Sequence, residues 1–101
     1  MGTLHYGSTP FEVDDDTLRH FAVVAIAKLR RQEPFLVLVH VDDDGLERLW
    51  LHPAVDLRIA TDRSSAPLDP ARVEHMMREA NAPSGLDLAA PWHVPEPAKR
   101  R

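Results

Sequence analysis

The stretch FLVLVHV-DDDG-LERLWLH, residues 35–52, constrains this chain more than any other. Two runs rich in β-branched and aromatic residues flank a turn-forming tetrapeptide, the pattern of a β-hairpin. A loop of Asp43, Asp44 and Gly45 suits a type I turn ending in a left-handed residue, which glycine supplies without steric cost. That register sets Asp42 opposite Leu46, Val39 opposite Leu49 and Val37 opposite Leu51. Phe35, Val37, Val39, Leu49 and Leu51 then share one face. Leu36, Leu38, His40, Arg48, Trp50 and His52 share the other. A loop one residue shorter or longer turns one strand over and puts Arg48 and His52 among the valines. The hairpin therefore commits the chain to a sheet with one core face. It also leaves a second face that carries two leucines and a tryptophan.

The flanking segments fill in the rest of the fold. TLHY (3–6) and PFEV (10–13) bracket the turn-forming GST and read as a first hairpin. Asp14 to Asp16 offer an N-cap and favourable negative charge at a helix start. Lys28, Arg30 and Arg31 close that helix with positive charge before Pro34, so the spacing predicts a helix over about residues 15–31. Leu18, Phe21, Ala22, Ala25, Ile26 and Leu29 form its main apolar stripe, and Val23, Val24 and Ala27 fall on the opposite side. After Pro53, VDLRIATD (55–62) alternates as a strand with Val55, Leu57 and Ile59 inward. Asp69 and Pro70 open a second helix whose Val73, Met76, Met77 and Ala80 make a single stripe. LDL (86–88) reads as a short edge strand. The expected class is α+β: a mostly antiparallel sheet of four to five strands with two helices, in the order ββαβββα(β).

At 101 residues one domain is expected, spanning residues 1–90. The proline-rich, charged stretch 91–101 reads as an extended or disordered tail. The chain has no cysteine, which removes disulfides, thiolate catalysis and cysteine-based zinc sites. No apolar run approaches the ~20 residues of a membrane span. The N-terminus lacks a signal-peptide pattern, and Tyr6 breaks the myristoylation frame after Gly2. A cytoplasmic protein that does not act at a membrane is expected. The net charge of −4 is opposite in sign to that of most nucleic-acid binders.

Catalytic signals are sparse. Six histidines are present, none in a ligand-spaced motif, so no metal or other cofactor is expected. His40 and His52 share a predicted face but lie at opposite ends of the hairpin. The acidic runs Asp14–Asp16 and Asp42–Asp44 lack the alternating carboxylates of a calcium loop. Neither a nucleophile elbow nor a glycine-rich phosphate loop is present. A small hydrolase or ligand-binding enzyme built on His52 and Asp56 is the least supported reading.

Several motifs in fixed order carry a resemblance: MGTLHYG, AKLRRQEPF, LWLHPAVDL, LDPARVEHMMREANAPSGLDL and the late VPEP. Over Met1 to about Pro97 the chain resembles a family of small actinobacterial proteins of unknown function, whose members often carry the label ATP-dependent DNA ligase. The resemblance implies no settled activity. A ligase core needs a lysine nucleophile in a KxDG frame. Here Lys28 is followed by Leu29, Arg30 and Arg31, Lys99 lies in the tail, and a ligase core is several times longer than this chain.

Association is the function these residues support best. Leu36, Leu38, Trp50 and His52 on the outer sheet face, and Val23, Val24 and Ala27 on the helix, are the candidate interface of a non-enzymatic homodimer, with another protein as the alternative partner. The chain's own tail, through Trp92 and Val94, is the competing cover for the sheet face. The alternative function is DNA or RNA binding by Lys28, Arg30, Arg31, Arg48, Trp50 and Arg58, with phosphate contacts and one stacking aromatic.

Overall fold

The computed structural model describes residues 1–101 apart from Asp43, Ser65, Pro91 and residues 93–101. Strands β1 (Gly2–Tyr6) and β2 (Thr9–Val13) are followed by helix α1 (Asp15–Arg30). Strands β3 (Phe35–Val41), β4 (Gly45–Leu51) and β5 (Leu57–Ala60) come next, then helix α2 (Pro70–Ala80) and a short strand β6 (Leu86–Asp87). The class is α+β in the expected order. The strands divide between two sheets of three, β2-β1-β5 and β4-β3-β6, antiparallel except for the β3–β6 pair. Pro53 causes this division. It ends β4 and leads into a turn, so the chain leaves β4 and β5 pairs with β1 instead. Val55, expected inward on a longer strand, lies in that turn and is 38% exposed.

The central hairpin keeps its predicted faces but shifts its register by two residues. Val37 pairs with Leu49 and Phe35 with Leu51. Asp42 and Asp44 lie in the connection, and Asp42 takes the positive φ of 62° expected at Gly45. Gly45 instead pairs with Val41, where a Cβ would collide with the Val41 carbonyl oxygen. A two-residue shift preserves which side chains face the core, because side chains alternate with period two.

The core lies between the sheets and the helices. Leu4, Phe11 and Val13 meet Phe35, Val37, Val39 and Leu51, with Leu18, Phe21, Val24 and Ala25 of α1 and Met76 and Ala80 of α2. Phe21 and Phe35 are fully buried or nearly so and tilt against each other at a centroid distance of 6.3 Å. Helix α2 starts as the sequence predicts: the Asp69 side chain accepts from the Ala71 N–H, with Pro70 at the first turn.

Helix α1 is rotated relative to its apolar periodicity by about one residue step, near 100° at 3.6 residues per turn. Val24 is completely buried and Ile26 is 57% exposed, the reverse of the expected placement. The cause is polar. Thr17, His20 and Lys28 are buried because each has a partner across the helix pair. Thr17 Oγ1 accepts from Arg72 at 2.7 Å, His20 Nε2 accepts from the Asp69 N–H at 2.9 Å, and Lys28 donates to Asn81 at 2.5 Å. The Asp69 N–H is a fixed donor, so the His20 proton sits on Nδ1 and is donated to the Asp16 carbonyl at 2.7 Å.

Candidate interaction surfaces

The rotation of α1 turns a distinct ridge outward. It runs along Asp16, Val23, Ile26, Ala27 and Arg30, positions three, four or seven apart that share one side of a helix. Val23 is 39% exposed and Ala27 is half-buried. The middle of the ridge is apolar, its N-terminal end acidic and its C-terminal end basic. Beside it, between α1 and the edge strand β5, runs an open groove of about 540 Å³. Ala22 and Ala25 leave space for this groove, Leu29, Leu57 and Ile59 line it, and Arg30 is its one charged lining residue. Of the three helix residues expected at an interface, Val23 and Ala27 lie on the ridge. Val24 does not, because it belongs to the core.

The outer face of β3–β4 is the second surface. Leu36 pairs with Trp50, Leu38 with Arg48, and His40 with Leu46. Trp50 is 59% exposed, Leu46 is exposed, and Leu36 and Leu38 are half-buried. Trp50 and Leu36 also wall a cleft of about 330 Å³ with Pro34 and Pro83. At the end of β4 the Tyr6 hydroxyl donates to the Trp50 carbonyl at 2.6 Å and accepts from the His52 N–H at 3.0 Å. The two sheets are joined at this corner. Trp92 does not cover the face. Its indole N–H donates to Asp69 and its ring packs on His75 at 5.3 Å, at the start of α2. Val94, the other proposed cover, lies outside the described residues.

Of the six nucleic-acid candidates, Lys28 and Trp50 line the same cleft. Lys28 is buried and bound to Asn81 and to Glu33, 3.2 Å away, so it is not free for phosphate. Arg48 and Trp50 share the outer face of one sheet, whereas Arg58 pairs with His5 on the other sheet. Arg30 and Arg31 lie exposed at the end of α1. His52 and Asp56 are exposed and serve local structure. His52 Nδ1 accepts from the Ala54 N–H, and the Asp56 carbonyl accepts from the Gly7 N–H. Neither residue lines a cleft described above.

A buried arginine escaped the sequence reading. Arg72 of α2 donates to Asp16 at 3.0 Å and to Thr17, and its Nε–H has no partner among the described residues. It borders a cleft of about 410 Å³ with Thr17, His40 and Trp92. An arginine one turn into a helix beside Pro70 gives no periodic signal, because only the apolar positions of α2 set its stripe. Its guanidinium joins α1 to α2. Among the described residues no group of three His, Asp or Glu side chains is placed to hold a metal, and no helix is long and apolar enough to cross a membrane.

Residues 1–91 match one protein-family model, described as Domain of unknown function (DUF7882). No curated protein and no solved structure matches the chain.

Proposed function

The chain belongs to the DUF7882 family of unknown function, and we propose that it acts as a non-catalytic interaction module that pairs with a second copy of itself through α1. One observation carries this reading: Ile26 is 57% exposed beside an apolar groove on the same face. An isolated exposed apolar residue is ordinary, but a contiguous ridge and groove marks an association surface. A two-fold pairing uses the same patch twice, which this ridge allows. Asp16 and Arg30 lie about two turns on either side of Val23. An antiparallel second helix crossing near Val23 therefore brings each Arg30 toward the other copy's Asp16. The Asp16 side chain is half exposed while bound to Arg19 and Arg72, so its outer edge is available.

Among the described residues Arg48, Arg58 and Arg30 lie on three different elements, which is why nucleic acid is the weaker reading. None of the clefts given above is lined by His52, so the enzyme reading rests on no observation made among the described residues.

The absence of cysteine makes a direct test available. In Val23→Cys the two sulfurs lie at the dyad, within the 4.4–6.8 Å Cα separation a disulfide spans, given close helix packing. Mild oxidation should give a disulfide-linked pair at micromolar concentration. Thr9→Cys, far from α1's ridge, should not. Equal cross-linking of both variants, or of neither, counts against the proposal.

A further inference from the structure

An antiparallel strand points its N–H and C=O groups alternately to one neighbour and the other. At the end of β4 the Trp50 carbonyl and the N–H of His52, just past the strand, both meet the Tyr6 hydroxyl, on the side away from β3. Leu46 and Arg48 share the parity of Trp50, so their backbone groups also turn away from β3. These groups make no hydrogen bond among the described residues, and β4 is the edge of its sheet. The edge is sealed by Tyr6 at one end and open from Leu46 to Arg48. Leu46, Arg48 and Trp50 flank it on the outer face. Arg48 is exposed and makes no ion pair among the described residues.

A second copy fits this edge poorly. A two-fold axis at Arg48 sets two Arg48 guanidiniums opposite each other. An axis at Glu47 sets the two Glu47 carboxylates opposite each other. An axis at Leu46 leaves only Gly45 to Glu47 in register. Like charges placed directly opposite each other destabilise an antiparallel pair.

We infer that the open edge of β4 takes an extended segment of a different protein, with an acidic side chain opposite Arg48 and apolar side chains two positions to either side. Main-chain hydrogen bonds to Leu46 and Arg48 hold the segment, and alternate side chains give the selectivity, as in other strand additions to a sheet edge. The apolar residues cover Leu46 and Trp50, and the carboxylate neutralises Arg48. The Tyr6 seal fixes where the added strand ends. This surface is separate from the ridge of α1, so the inference does not depend on the pairing proposed above.

The probe is a capped synthetic peptide, TLTETLT, compared with TLTKTLT, and the readout is the backbone amide spectrum of the full chain. The glutamate peptide should shift and protect the Leu46 and Arg48 amides and bind about five- to tenfold more tightly than the lysine peptide. Arg48→Glu, an exposed substitution that leaves the core intact, should reverse that preference. Three results overturn the inference. One is no shift at Leu46 or Arg48 with either peptide up to millimolar concentration. Another is equal affinity for both peptides. The third is protection of these amides that rises with protein concentration alone, which would make a second copy the occupant.

Discussion

The Tyr6 hydroxyl and the Trp50 carbonyl are 2.6 Å apart, and through this bond β1 of one sheet closes the end of β4 in the other. The same oxygen accepts the His52 N–H, so one side chain satisfies two edge groups of the backbone. Sheet edges left unpaired invite further pairing, and a hydroxyl at the edge prevents this locally. Tyr6→Phe should cost about 1 kcal/mol of stability in denaturant unfolding, the usual net worth of such hydrogen bonding. It should also speed hydrogen exchange at His52 by more than at Val37, whose core amide follows the global loss alone. Unaltered His52 exchange would show that the clamp does not hold in solution.

Arg72 ties the helices together from the other side of the core, with Asp16 and Thr17 as its partners. Arg72→Met keeps most of the side-chain volume and removes the charge and the donors. The buried Thr17 hydroxyl then loses its shortest contact, and Asp16 keeps its ion pair with Arg19. A loss of about 2 kcal/mol is expected by chemical unfolding with an unchanged denaturant slope. A change below about 0.5 kcal/mol, the level of an ordinary surface substitution, would remove the arginine from the account of helix pairing.

The amino group of Met1 lies 2.9 Å from Asp15. The hydrogen bond to Asp15 raises the amine above its ordinary value of 8.0, and the same bond lowers Asp15 below its ordinary 3.8. The raised amine stabilises the fold below about pH 8 and loses that contribution as pH rises through its folded value. The lowered carboxyl stabilises the fold above about pH 4 and loses its contribution as pH falls further. Thermal midpoints should therefore plateau between these limits and decline at both ends. Asp15→Asn should weaken both declines, and a profile identical to that of the parent chain would contradict the pairing.

The hairpin of residues 35–52, the caps of both helices and the element order were legible because each rests on local chemistry: alternation, Asp14 and Asp69 at helix starts, and Pro70 in a first turn. The division into two sheets was less legible, since Pro53 announces a break but not which strand β5 will join. The orientation of α1 was misread for a specific reason. Apolar spacing centred the buried face near Ala22 and Ala25, whereas Thr17, His20 and Lys28 are drawn inward by Arg72, Asp69 and Asn81 on a helix more than forty residues away in sequence. Single-helix periodicity cannot show such partners. The same rotation moved Ile26 outward and Val24 inward, and so redrew the candidate interface.

The pairing of two copies through α1 is tested most directly by the mass in solution, measured by sedimentation equilibrium from low to high micromolar concentration. The parent chain should approach twice its 11.4 kDa mass, and Ile26→Glu should remain near a single chain with its secondary structure intact. A parent chain that stays at one-chain mass at high micromolar concentration, or an Ile26→Glu variant that pairs as tightly as the parent, would contradict it.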